Sequence, residues 1–438
     1  MSILSIIKAQ KINQIFFWAF LITIPFNLRV IYQPESAYIH GYFSSYLAIF
    51  LYISDLLLIC CFVAFLVENI KTFKTTLNLR NPIFWLTLGL IFTSLIGWLH
   101  VQHSFFEVYS LFKLVEFIFL VFYVASTFRN LMFFRITAGI LYLSGIFQAV
   151  LGIIQFHMQH DIGLRLLGEY IAPLGTGGLA TLDFMGGKVI RAYGTFPHPN
   201  IFGAFLCLSL IMGYWYVSRE TNQNTRILLG IGSILLIVGI FLSFSRVSWL
   251  IAALTTLIYI IYNFSLTKWR IYVQIITSAV ISCFIILVSW HNLLFGRVSN
   301  ISSTNSYIDR GTYNNIGLQI LRNHPWGTGL GNYIQTMVTK FNMQPWDYQP
   351  PHNIFIYIAA SMGILGLILF LSYLIVIAVR LAASSPTLLR FTLLILGGSL
   401  LIMSLFDHFL VTIQQGQLLF FLSLGLIAGY RDFDEHIA

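Results

Sequence analysis

Charge is scarce in this 438-residue sequence: 9% of its residues are Asp, Glu, Lys or Arg, where a soluble domain carries about 25%. So little charge cannot cover a water-facing surface, which excludes a soluble enzyme and a disordered chain. Cysteine is scarce too. Cys60, Cys61, Cys207 and Cys283 all lie inside apolar runs without ligand spacing, so they read as packing thiols, exclude a disulfide scaffold and leave the redox compartment open. No internal repeat, low-complexity tract or cleavable signal peptide is evident, and the first apolar run reads as a retained helix to about Ile31. Apolar residues dominate instead: 58% are hydrophobic and 16% aromatic. Runs of about 20 apolar residues recur, the length that crosses roughly 30 Å of hydrocarbon as a helix. The sequence predicts an all-α polytopic integral membrane helical bundle of about 12 transmembrane helices.

The expected spans are 15–31, 46–66, 82–100, 111–127, 132–156, 200–218, 227–244, 247–264, 271–290, 353–378, 391–409 and 417–430. The net charge of +9 sits in short segments between them. That pattern fits loops beside a bilayer better than a nucleic-acid partner. One set of connections holds Lys8, Lys11, Lys71, Lys74, Arg80, Arg129, Arg135, Arg219, Arg226, Lys268, Arg270, Arg380, Arg390 and Arg431, while the opposite short connections hold almost none, Arg29 and Lys113 being the nearest cases. The bias predicts a multi-pass protein of the cytoplasmic (inner) membrane with cytoplasmic termini. Two long segments, 157–199 and 291–352, then face the periplasm or exterior. Loops of that length tend to be functional, and Asp309 to Leu321 is expected to form a short amphipathic helix near the surface.

Four clusters fall on that outer face. Arg191, Thr195, His198 and Asn200 precede the sixth span, where Pro199 and Asn200 favour a helix start. Ser243, Ser245, Arg246, Ser248 and Trp249 form a tight connection. Asp309 and Arg310 are followed by Asn323-His324-Pro325-Trp326-Gly327 and by Gly329, Gly331 and Asn332, whose glycines suit a polar ligand or simply a tight turn. His352 and Asn353 open the tenth span, where the helix dipole favours a neutral imidazole and attracts anions. Each has a plainer reading: Arg246 snorkelling, His198 and His352 as caps or packed residues, Arg191 paired with Asp183, and Arg297, Arg322 and Lys340 as solvated charges. Together, several Arg and His residues on one face predict recognition of a phosphate-bearing ligand.

The clusters resemble the O-antigen ligase and polymerase superfamily of bacterial membrane glycosyltransferases. The carrying motifs are RAYGTFPHPNIFGAF at 191–205, SFSRVSW at 243–249, DRGTYNNIGLQILRNHPWGTGLGNY at 309–333 and HNIFIYIAASMGILGLILF at 352–370. They occur in the family's order and cover about 190–370; the first five spans match only in character. The implied fold is a membrane-embedded glycosyltransferase with a long outer loop. Its parts would be N-terminal helices and first outer loop (1–190), a ligase-like core (191–378) that includes outer loop 291–352, and C-terminal helices with a cytoplasmic tail (379–438).

The resemblance implies transfer of a glycan from undecaprenyl (polyprenyl) diphosphate to an acceptor hydroxyl by an inverting, metal-independent enzyme. The acceptor is a glycolipid such as the lipid A core for a ligase, or another lipid-linked glycan for a polymerase. It implies Arg191 and Arg246 as diphosphate-binding arginines and His352 as the essential histidine of the last motif. Arg310 opens the third motif, and His198, Asn200, His324 and Asn353 are expected around the substrate. Bidentate guanidinium groups suit a diphosphate leaving group, and a histidine can take the acceptor's proton. Neither cofactor nor metal is expected. The Asp-x-Asp pair, Asp432 and Asp434, falls in the tail on the opposite face. Asp55, Glu116 and Asp407 lie in apolar runs and read as a proton or substrate path or as ion pairs across helices. Ligase chemistry is favoured over polymerase chemistry. A related protein O-oligosaccharyltransferase or peptidoglycan polymerase, and a transporter, complete the alternatives; the absence of a repeat and the outer-face clustering argue against the transporter.

Overall fold

The computed structural model describes residues 11–70, 82–100, 105–128, 130–174, 176, 178–184, 187–266, 268–299 and 305–430. Lys8, Lys71, Lys74, Arg80, Arg129, Arg431 and the pair Asp432 and Asp434 lie outside the described residues. Fifteen helices are described: α1 Ile12–Thr23, α2 Ile53–Asn69, α3 Pro82–His100, α4 Phe105–Thr127, α5 Leu131–Met158, α6 Pro199–Arg219, α7 Gln223–Leu242, α8 Arg246–Ser265, α9 Trp269–Ser299, α10 Asn305–Asn323, α11 Tyr333–Lys340, α12 Ile354–Ala383, α13 Leu388–Phe406, α14 Phe409–Thr412 and α15 Gln414–Gly429. The chain is an all-α polytopic membrane protein. Each of the twelve expected spans contains a helix, and eight of these are long and apolar enough to cross a bilayer.

Helix α6 is the hub, with 94% of its apolar window buried against its neighbours. It packs on α5, α7, α8 and α13. Small residues allow the close approach that replaces a hydrophobic driving force in lipid: Gly213 faces the Tyr142 ring, and Gly145 faces the Ser209 side chain. A second group forms where α4 packs on α15 and α12 packs on α3.

The N-terminal expectations need correction. The first helix ends at Thr23, not near Ile31, because Pro25 cannot donate the next helical hydrogen bond. The segment Arg29–Tyr32 is instead strand β1, rich in β-branched and aromatic side chains. It pairs antiparallel with β4, Ile49–Tyr52, which takes the start of the expected second span. Between them lies the short pair β2 (Tyr38–Ile39) and β3 (Tyr42–Phe43). In the first long loop β5 (Thr181–Phe184) pairs with β6 (Gly187–Ile190), setting Asp183 opposite Lys188.

The second long loop contains α10, which is longer than the expected amphipathic stretch, and α11. Its glycine-rich turn is seated in a break of α12. Gly363 adopts φ 75° and ψ 176° inside that helix. Thr328 N donates to Ala360 O at 3.0 Å, Gly329 N to Ser361 O at 2.9 Å, and Ile364 N to Pro325 O at 3.0 Å. The inserted turn satisfies backbone groups that the break releases. At Gly327, φ is 91° and an added Cβ would lie 2.4 Å from Ser361 O. The Glu107 carboxylate accepts from Leu330 N at 3.2 Å and Asn332 Nδ2 at 2.7 Å. The glycines of this motif therefore serve a tight backbone fit, one of the two roles the sequence left open.

Candidate functional site

Three of the four clusters converge where α6, α8 and α12 begin and α13 ends. His198 caps α6: its Nδ1 accepts from Asn200 N at 3.1 Å, and Pro199 occupies the first turn. Asn200 then bridges two elements. Its Oδ1 accepts from Arg191 Nη2 at 2.8 Å, and its Nδ2 donates to Asp407 Oδ2 at 2.8 Å. Arg191 is buried and donates through Nε to Ser243 O at 2.7 Å. This hydrogen bond ties the first motif to the turn between α7 and α8.

That turn is unusual in its backbone. Phe244 is fully buried with φ 48°, a left-handed conformation that costs a non-glycine residue roughly 1 kcal/mol or more. Its ring is fixed against Phe156, Phe241 and Trp249. The turn reverses the chain so that Ser245 caps α8 through Ser248 N at 3.4 Å. Arg246, half-buried, becomes the first residue of that helix.

From the other side come His352, at the end of the second loop, and the Asp407-His408 corner between α13 and α14. His352 Nδ1 lies 3.6 Å from Asp407 Oδ1. The His352 and His408 rings are 5.1 Å apart. Tyr313 of α10 lies 6.0 Å from the His352 ring, and Tyr46 lies 6.0 Å from the His408 ring. Arg310, half-buried in α10, acts electrostatically on His198 and His408 and so shares this centre.

Hydrogen bonding fixes the histidine tautomers. Thr412 Oγ1 donates to His408 O at 3.0 Å, so it accepts from His408 Nδ1 at 2.7 Å and leaves Nε2 as the imidazole lone pair. His198 accepts through Nδ1 and carries its proton on Nε2. Burial, then the Arg191 charge, hold His198 down at about 4. Burial first, with His352, His198 and Arg310 adding to it against Asp407, pushes His408 down to about 3. Burial alone would raise the Asp407 carboxyl, but His352 at 3.6 Å and the neighbouring His408 and His198 hold it well below the usual carboxylate range. The corner thus holds a carboxylate beside the neutral imidazoles of His198 and His408.

Not every expected residue joins. His324 Nε2 accepts from Lys340 Nζ at 2.7 Å, and burial, then the Lys340 charge, lowers its pKa. It faces α11 rather than the Asp407 corner. Asn353 serves as the cap of α12, its Oδ1 accepting from Phe355 N and Ile356 N at 2.9 and 3.2 Å. Conversely, Asp407 and His408 stand at the centre, where the sequence read Asp407 as part of a proton or substrate path or an ion pair and left both out of the expected site. An adjacent Asp-His pair at the end of such a run was the available signal.

The donor atoms of His352, Asp407 and His408 lie within 4.8 Å of one another, a spacing that could hold a metal ion. The donor set fits a cation poorly. Asp407 Oδ2 is taken by Asn200 and Oδ1 by His408 N at 2.8 Å, His408 Nδ1 is taken by Thr412, and Arg310 acts in the same field. The excess of guanidinium charge suits an anion.

The sequence profile of the O-antigen ligase family matches residues 231–371. That stretch contains three of the four motifs; the one at 191–205 lies before it. An O-antigen polymerase of Salmonella muenchen is 29% identical over 229 residues, which cover 49% of this chain and 54% of that protein. The chain thus spans about half the length of the curated relative it matches. Both findings bear out the resemblance to the O-antigen ligase and polymerase superfamily.

Proposed function

We propose that this relative of the O-antigen ligases and polymerases is a membrane glycosyltransferase that moves a glycan from a polyprenyl diphosphate to an acceptor hydroxyl. The face carrying Asp407 and His352 is the periplasmic or outer face of the cytoplasmic membrane. The observation that carries the reading is the chain of contacts Ser243–Arg191–Asn200–Asp407–His352, which joins residues 243 and 352 of the matched region through three residues outside it.

Arg191, Arg246 and Arg310 meet the diphosphate. Guanidinium groups oppose the charge that grows on the leaving oxygen as the sugar C1–O bond breaks. His352 accepts the acceptor hydroxyl's proton as that oxygen bonds to C1 from the opposite side, which inverts the configuration. Asp407 orients the His352 ring and stabilises the imidazolium, a positioning role. The buried left-handed turn at Phe244 fixes both the Ser243 carbonyl and the start of α8. In this scheme the chemistry is metal-free and the Asp407 corner works through protons. Ligase chemistry is favoured, with polymerisation onto a second lipid-linked glycan as the alternative, named by the Salmonella muenchen relative.

The test is release of polyprenyl diphosphate from a lipid-linked glycan by purified protein in EDTA, with and without acceptor lipid. Acceptor-dependent release that disappears in His352→Ala, with the protein still inserted and abundant, supports ligase chemistry. Longer lipid-linked chains without added acceptor support the polymerase. Wild-type product from His352→Ala, or activity that EDTA abolishes and zinc restores, overturns the scheme.

A further inference from the structure

Between strand β6 and helix α6 the chain that carries Arg191 is neither helix nor strand. Side chains of α5 hold it instead. Gln148, Gln155 and Gln159 stand at i, i+7 and i+11, which places them on one face of that helix. Gln148 and Gln155 are 0% and 2% exposed, where an amide costs free energy unless it is hydrogen-bonded.

Each glutamine pairs with the backbone of the Arg191 segment. Gln159, which ends α5 at φ 58°, accepts through Oε1 from Ile190 N at 2.7 Å and donates through Nε2 to Ile190 O at 3.3 Å. Gln155 treats Gly194 alike, accepting from its N at 2.8 Å and donating to its O at 2.9 Å. Gln148 accepts from Thr195 N at 3.0 Å. The central amide is itself locked, for Gln155 Nε2 also donates to Glu169 Oε1 at 2.8 Å. Buried Glu169 is anchored in turn by Ile162 N at 2.8 Å and Leu164 N at 2.6 Å.

The segment is pressed hard against this ladder. Gly194 adopts φ 60°, and an added Cβ would lie 2.4 Å from Gln148 Oε1. Ile190 and Gly194 are thus clamped on either side of Arg191, and between them Ala192 N donates to Leu242 O at 3.0 Å. Apolar packing would hold such a segment without burying amides. It would not fix the register, and paired hydrogen bonds do.

We propose that Gln148, Gln155 and Gln159 are positioning residues for the transfer reaction, a side-chain ladder that sets the register of residues 190–195 and so aims the Arg191 guanidinium at the diphosphate. This rests on the glycosyltransferase reading and deepens it. A guanidinium misplaced by about 1 Å loses much of its effect on a developing charge.

Two variants of the full chain in detergent test the ladder. Gln155→Met keeps the volume and removes the hydrogen bonds. Gln159→Asn keeps a residue that tolerates positive φ but falls one methylene short of Ile190; it alters only the half-buried end and serves if Gln155→Met does not fold. Hydrogen exchange over residues 190–196 reports the clamp, and the Kd for geranyl diphosphate reports the arginine; neither needs turnover. Each variant is expected to exchange there at least about tenfold faster and to bind the probe about tenfold more weakly. In an Arg191→Ala background, titrated to millimolar probe, the same substitutions change Kd less than about twofold, because the residue they serve is gone. The kcat/KM for a lipid-linked glycan follows the same pattern.

An equal loss of affinity with and without Arg191 means that the ladder only holds the fold, and overturns the proposal. Unchanged exchange, faster exchange at unchanged affinity, or a wild type that binds no geranyl diphosphate overturns it too. A protein that shows the coupling in Kd but transfers no glycan refutes the proposed function and leaves the ladder standing.

Discussion

Two ionic clusters, one buried and one half-buried, use similar side chains to opposite ends. In the N-terminal half Lys113 is held between Asp55 and Glu116, and Asp55 is further tied to Gln414 Nε2 and Tyr52 N. All three charged residues are buried. The one ammonium is enclosed by two carboxylates of the protein itself, so no cation of this cluster faces a ligand. Around Asp407 the balance is reversed. Arg191 and Arg310 act on the imidazoles that surround one carboxylate, and Arg191 donates to two neutral oxygens, Ser243 O and Asn200 Oδ1. A closed cluster holds helices together. A cluster with more arginine than carboxylate presents a field that favours an anion.

The sharpest way to break this comparison is to remove one cation from each. Arg246→Ala is expected to cut transfer per inserted molecule by about 10²–10⁴-fold while leaving yield and melting intact. Arg246→Lys recovers little, because a point charge cannot reproduce a bidentate contact. Lys113→Ala does the reverse. It strands two buried carboxylates, a loss of about 3–5 kcal/mol, so folded yield drops and the surviving molecules keep their kcat. Activity per molecule and melting in detergent, measured on the same preparations, decide it. A Lys113→Ala protein that folds well but transfers nothing would remove the distinction.

A smaller effect is expected from Asp407→Asn. The amide keeps the size and one acceptor oxygen, enough for either Asn200 Nδ2 or His408 N, and it no longer stabilises a charged His352. kcat should fall by roughly tenfold or more with KM little changed, since the interaction matters only once the proton has moved. A purely structural Asp407 would instead lower yield and leave the kcat pH profile of the folded fraction unaltered.

The sequence carried the helices and three motifs well because hydropathy and short polar strings are local signals. Asp407 was legible as an acid in an apolar run with a path or pairing role, but its partners were not, because they lie as far as 207 residues away, as in the Asn200 contact. The glycine-rich turn was ambiguous for a related reason: its fit lies against Ser361 and Gly363, in a helix whose break the apolar run does not announce. Strands β1 and β4 were read as helix ends because a short apolar run looks the same in either state. His324 was grouped with the site by its neighbours in sequence, whereas the fold turns it towards Lys340.

The mildest expectation concerns acid. His198 is neutral in the fold with its pKa lowered from 6.5 to about 4, and His408 is lowered to about 3. In the unfolded chain both protonate near 6.5. The unfolded state therefore binds more protons as the pH falls below 6.5, and stability declines through that window. Asp407 adds a separate loss only below the ordinary carboxylate range, because its folded pKa is depressed. The Lys113 cluster contains no histidine and adds no such histidine-driven loss. His198→Asn keeps the cap on α6, since Asn accepts from a backbone N–H at that position, and removes one of the two titrations. Melting of wild type in detergent should drop by several degrees between neutral pH and about pH 4.5, and the variant should recover roughly half of that drop. Equal slopes in the two proteins would mean that His198 is solvated rather than buried beside Arg191, and the surplus of cation around Asp407 would then be screened by water.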